Sequence, residues 1–139
     1  MRLLLDTNVV LDVLLARKLH LEASALVWAA VERGGTEGLL AAHAVTTIHY
    51  LVSKERGSKI ANRTTTSLLK VFGVASVTGD VVREALILAW PDFEDAVTAA
   101  AAQAAACDAI VTRDPKGFRR APLRIFTPEA AASAIHASS

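Results

Sequence analysis

Asp6 closes a run of three leucines in LLLDTN, and Asp114 follows a second apolar run in AIVTRD. A third acid, Asp95, lies in PDFEDA, just ahead of an alanine-rich stretch. If the two apolar runs are parallel neighbours in a sheet, Asp6 and Asp114 leave it at the same edge. Asp95 points to that edge too if its helix feeds the second run. Carboxylates brought together repel: two unit charges about 4 Å apart cost on the order of 4 kcal/mol at an effective dielectric near 20. A cation relieves this, and all-oxygen ligands with no neighbouring His or Cys favour Mg²⁺ or Mn²⁺ over zinc. Such ions hold a phosphodiester, activate water and stabilise a leaving oxygen. A plainer reading stands beside this one. Asp92 suits a helix N-cap and Asp95 a first turn where the helix dipole favours an anion, while Asp6 and Asp114 suit turns. Spacing alone leaves both readings open, with Asp92 as an additional candidate ligand.

The elements that must position these acids alternate along the chain. Residues 2–5 read as a buried strand, because strands covered on both faces are continuous apolar runs. Helices follow at 8–15 and 20–33, the second stopped by Gly34 and Gly35. A strand at 38–42 leads to a helix at 43–56, and Ser58 is placed to cap another that ends at Gly73. A strand at 74–77, helices at 80–90 and 94–107, and a strand at 109–112 come next. Residues 124–126 are a possible fifth strand, and Thr127 and Pro128 open a closing helix as cap and first residue. This alternation predicts an α/β domain, one domain over 1–139, with a parallel sheet of four or five strands covered on both faces.

Charge and composition narrow the field. Hydrophobic residues make up 53% and charged residues 21% of the 139-residue chain, which suits a globular domain with a substantial core. No stretch reaches the roughly 18 apolar residues of a membrane span, and the opening run is too short to read as a secretory signal. The lone Cys107 makes no internal disulfide, in keeping with a reducing cytoplasm. The net charge of +1 hides two basic clusters. Arg113, Lys116, Arg119, Arg120 and Arg124 flank the proposed site, while Lys54, Arg56, Lys59 and Arg63 lie elsewhere. Either they serve a polyanionic substrate, with Arg113, Lys116 and Arg119 nearest the site, or they are solvated faces. His20, His43, His49 and His136 lack zinc spacing and read as surface or edge residues. Trp28 and Trp90 read as core or interface aromatics. No phosphate-binding or dinucleotide glycine pattern is present.

Taken together, LLLDTNVVLDVLL and DFEDAVTAAAAQAAACDAIVTRDPKGF resemble the PIN domain, and among PIN proteins the VapC-type bacterial toxins. The likeness runs over residues 2 to 130. It implies a three-layer α/β/α sandwich and a Mg²⁺- or Mn²⁺-dependent ribonuclease. Asp6, Asp95 and Asp114 match acidic metal-site positions of that family. Thr7 and Asn8 match supporting positions, and Thr112 is counted with them. A cytoplasmic location, an RNA substrate, a cognate antitoxin covering the site or a nearby apolar groove, and a homodimer follow from the same resemblance.

One family position differs. The helix after the second strand usually carries a glutamate, and here that position falls near Thr47, with no acid between Gly38 and Lys54. Asp92, Glu94 or Asp12 are candidates to supply the missing charge, with Asp12 expected on an exposed helix face near the site. The alternative is a catalytically weak or silent PIN-fold binding or assembly module. A receiver-like domain using Asp6 as phospho-acceptor is disfavoured, since no second acid adjoins Asp6 and no lysine ends a late strand.

Overall fold

The structure, a computed structural model, describes residues 1–138. Five short strands form one parallel sheet: β1 (Arg2–Leu5), β2 (Glu37–Ala41), β3 (Gly73–Ala75), β4 (Ala109–Val111) and β5 (Arg124–Phe126). Their order is β3-β2-β1-β4-β5, so the leucine run is the central strand. Its side chains alternate between the two faces, as strand geometry requires. Leu3 and Leu5 enter one core half and Leu4 the other, and all three are fully buried.

Seven helices cover the sheet: α1 (Thr7–Leu14), α2 (Leu21–Glu32), α3 (Ala42–Arg56), α4 (Ser58–Val71), α5 (Gly79–Leu88), α6 (Phe93–Ala104) and α7 (Pro128–Ser138). Residues of α1 to α4 and α7 build the core half around Leu3 and Leu5. Residues of α5 and α6 build the half around Leu4 and Ile110. This is the three-layer α/β/α arrangement. Residues 96–102 of α6 are buried in unbroken succession, mostly alanines whose small side chains let the helix lie close to the sheet. Trp28 meets Phe72 edge-on at 5.1 Å and Trp90 meets Phe118 likewise at 6.1 Å, so both tryptophans brace the core. Among the described residues no helix is long and apolar enough to cross a membrane.

Element ends differ from the expected ones by a few residues. β3 covers Gly73–Ala75 rather than 74–77, and α6 stops at Ala104. Ser58 is not a cap. Gly57, at φ 90°, both ends α3 and begins α4, a backbone conformation that favours glycine. Pro115–Phe118 forms an unforeseen 3₁₀ turn after β4. Thr127 caps α7 as expected, its Oγ1 accepting from Ala130 N–H at 3.1 Å.

Gly38 shows how closely the layers meet. A Cβ there would lie 2.8 Å from Val31 Cγ2 and 2.9 Å from Phe72 Cδ1. Val31 is stiff at χ1 and Phe72 is buried, so neither yields easily. Gly38→Ala is expected to destabilise the fold by about 1–3 kcal/mol through overpacking. Urea unfolding measures this, and an unchanged midpoint and slope would refute the close-packing claim.

Candidate functional site

β1 and β4 run parallel with Leu5 opposite Val111, so their chain exits are neighbours. Asp6 N–H donates to Val111 O at 2.9 Å, which extends the pairing by one residue. Asp6 then turns the chain into α1 as its N-cap, its Oδ1 accepting from Thr7 N–H at 2.9 Å. Its other oxygen accepts from Thr112 Oγ1 at 2.9 Å, and Asn8 Nδ2 stands 3.4 Å away. Thr112 Oγ1 in turn accepts from Asp114 N–H at 3.0 Å. One hydroxyl thus links the two strand-end acids.

Asp95 reaches the same edge from α6. Asp92 caps that helix, its Oδ1 accepting from Asp95 N–H at 3.0 Å, so the cap reading of Asp92 is what the structure contains. Gly117 ties Asp95 to Asp114: a Cβ there would stand 2.9 Å from Asp95 Oδ2 and 3.1 Å from Asp114 Oδ2. The two oxygens therefore border one small gap that the bare glycine keeps open. Among the described residues, no three Asp, Glu, His or Cys side chains surround a single point at ligating range. The structure brings Asp6, Asp95 and Asp114 to one edge, with Asp6 turned toward its Thr7 and Thr112 donors.

The electrostatics record the crowding. Burial, then the charges of Asp92, Asp6, Asp114 and Glu94, push the Asp95 carboxyl up to about 7. Asp6 is also raised by burial, against the pull of its bonds from Thr112 and Thr7, with Glu94 and Asp114 adding to the rise. Glu94, in the first turn of α6, contributes to the rise at both acids. His43 lies in the first turn of α3, just past the end of β2. It is half-buried, its Nε2 lies 3.3 Å from Thr98 Oγ1, and burial lowers its pKa against the charges of Glu94 and Asp6. Thr47 bonds back along its own helix, its Oγ1 lying 3.4 Å from His43 O.

One expectation is overturned. Asp12 is not on an exposed face; it is fully buried. Position 12 faces inward between α2 and the β4 exit, where Ser24 Oγ donates to its Oδ2 at 3.1 Å and Arg113 Nε lies 2.8 Å from that oxygen. Arg113 is thus ion-paired with Asp12, with its side chain 27% exposed. Lys116, Arg119 and Arg120 are exposed. With Trp90, Asp92 and Asp95 they line a cavity of about 120 Å³ beside the acids.

Asp95 and Asp114 offer only oxygen donors and border a gap that a single methyl would fill, the donor chemistry that a hard divalent cation favours.

Comparison with known proteins followed from this geometry. The sequence profile of the PIN domain matches residues 2–116. No curated protein matches the sequence. VapBC2 from Rickettsia felis, solved bound to a DNA fragment from its promoter, superposes with a TM-score of 0.72 at 16% identity, covering 91% of this chain and 98% of that one. FitAcB from Neisseria gonorrhoeae gives 0.70 at 22% identity, covering 91% and 97%. VapC20 from Mycobacterium tuberculosis, described as a Sarcin-Ricin loop cleaving toxin, gives 0.62 at 17%, covering 78% and 86%. At these identities the likeness is one of fold.

The raised Asp95 pKa makes stability depend on pH. A carboxyl near 7 in the fold, against an ordinary value of 3.8, stabilises the folded state below about pH 4 and loses that contribution as pH rises through 7. Metal-free Asp95→Asn is therefore expected to melt higher than wild type at pH 8, with the difference shrinking toward pH 4. A wild type that is the more stable of the two at pH 8 would contradict the raised Asp95 pKa.

Proposed function

The chain belongs to the PIN domain family, and from that premise we propose that it is a divalent-metal-dependent endoribonuclease, the toxin of a toxin–antitoxin pair acting in the cytoplasm. The observation that carries this reading is the gathering of Asp6, Asp95 and Asp114 at the edge where β1 and β4 end, with Asp95 pushed up to about 7. Mg²⁺ or Mn²⁺, when bound, neutralises a phosphodiester and makes water a stronger nucleophile. The chain's own residues do the placing. Thr7 and Thr112 orient the Asp6 carboxylate by donating to its two oxygens. Glu94 supplies the negative charge that the family's helix glutamate would otherwise give, since its charge reaches both Asp6 and Asp95.

RNA is the substrate that the surroundings favour. Lys116, Arg119 and Arg120 edge the cavity that Asp95 also lines, so flanking phosphates meet cations while the scissile one meets the metal. Trp90 offers that cavity an aromatic wall. A structural neighbour that cleaves the Sarcin-Ricin loop points the same way.

A cognate antitoxin would cover the acidic site or an apolar groove, for which the groove of about 430 Å³ lined by Leu14, Trp28, Ile60 and Leu68, among others, is a candidate. Neighbours solved as VapBC and FitAB complexes support a protein partner. A homodimer is the expected assembly, with exposed Leu26 of α2 and Tyr50 of α3 as candidate contacts; light scattering at micromolar concentration reads it directly, and a monomer there refutes it.

Purified protein is expected to cleave RNA with Mg²⁺ or Mn²⁺ and not with EDTA. Asp6→Asn should lower the rate at least about a hundredfold, as loss of one positioned electrostatic group does. Glu94→Gln should raise the Mg²⁺ concentration needed for half-maximal rate. Thr47→Glu should lower it. Equal cleavage by wild type and Asp6→Asn would assign the activity to a contaminant. A wild type silent with every metal, with cleavage appearing only in Thr47→Glu, would identify a binding module instead.

A further inference from the structure

Among the described residues, Asp12 is the one fully buried side chain that carries a formal charge. It sits in α1, well inside the helix that Asp6 caps. Its Oδ2 takes Ser24 Oγ at 3.1 Å and faces Arg113 Nε at 2.8 Å, while Arg17 Nη1 stands 3.9 Å from Oδ1. Neither Asp12 Oδ1 nor Arg113 Nε makes a directed hydrogen bond. The guanidinium is held there by charge and enclosure more than by bond direction. Replacing a buried ion pair with apolar groups of similar volume is often neutral or stabilising, so stability alone accounts poorly for this pair.

What the pair fixes is position. Arg113 is the residue between Thr112 and Asp114, and it is tied at both ends. Its backbone N–H donates to Asn8 Oδ1 at 3.3 Å, and its side chain reaches Asp12 one turn further along the same helix. The loop leaving β4 is thereby clamped to α1. With Arg113 held, Thr112 Oγ1 stays between Asp6 Oδ2 and Asp114 N–H, and Asp114 stays across the Gly117 gap from Asp95.

We propose that Asp12 and Arg113 form a positioning strut, outside the carboxylate centre, that sets where Thr112 and Asp114 stand relative to Asp6. The part of this proposal that concerns a metal rests on the nuclease reading above; the part that concerns the loop does not. Asp12→Asn keeps the side chain's shape and its capacity to accept from Ser24, and removes only the charge that holds Arg113. The loop from Thr112 to Gly117 then gains freedom while the core half around Leu3 and Leu5 keeps its packing.

The test uses full-length protein with Asp12→Asn, Arg113→Gln, the double variant and Arg113→Lys. Two quantities are read: amide exchange at Asp114 without metal, and Mn²⁺ affinity by calorimetry. Each single variant should speed exchange at Asp114 and weaken Mn²⁺ binding by about tenfold or more, the usual loss when a group supporting a ligand is removed. The double variant should be no worse than the worse single, because the two residues act as one unit. Arg113→Lys keeps the charge and should recover part of both. Should a single variant fail to fold, as Arg113→Gln would if it left Asp12 buried with only Arg17 3.9 Å away, the double variant, which buries no unpaired charge, decides by whether exchange at Asp114 is faster than in wild type. Exchange and affinity unchanged in Arg113→Gln, or losses that add in the double variant, would overturn the strut. A wild type that binds no Mn²⁺ would refute the metal reading, and exchange at Asp114 would still decide the strut.

Discussion

The hydroxyl of Thr112 holds the site together. It donates to Asp6 at the end of the central strand and accepts from the backbone of Asp114 at the end of the next one. That contact exists only because β1 and β4 are parallel neighbours in register, Leu5 opposite Val111. The register in turn depends on burying Leu3, Leu4 and Leu5 on both faces of the sheet. A slip of one residue would reverse which face each leucine enters and carry Asp6 away from Thr112. Core packing and site geometry are therefore one constraint.

From it follows an electrostatic tension that the fold contains without dissipating. Two buried helices, α1 and α6, begin at this edge, and each carries an acid at its start. Helix N-termini favour anions, which helps retain Asp6 and Asp95 as carboxylates. Burial and mutual repulsion work against this and win at Asp95, whose carboxyl rises to about 7. Gly117 adds the space that a side chain would fill. Negative charge, oxygen donors and an open gap in one place are the conditions under which a hard cation binds better than a proton.

Much of this was legible from residue types. The continuous apolar run at residues 3–5 marked a strand covered on both faces, and an acid directly after it marked the strand's mouth. Asp92 and Thr127 were readable as caps because side-chain oxygens at helix starts act locally. The burial of Asp12 was not legible. Its helix reads VVLDV, and an acid there looks solvent-facing until Arg113, from the far end of the chain, is seen against it. Gly117 belongs to the GF that follows TRDPK, but its spatial role was not legible, since it lies in the approach of Asp95 and Asp114 rather than in any turn it makes. Glu94 was readable only as an alternative, because its reach to Asp6 depends on how α6 docks.

The central claim is that Asp6, Asp95 and Asp114 hold one divalent ion. Anomalous scattering from crystals grown with Mn²⁺ tests it most directly. The expected result is a peak at the edge where β1 and β4 end, with carboxylate oxygens of all three residues around it at bonding distance and the peak lost in Asp95→Asn. Well-ordered crystals with no peak there at saturating Mn²⁺, or with the ion bound away from these three residues, would contradict it.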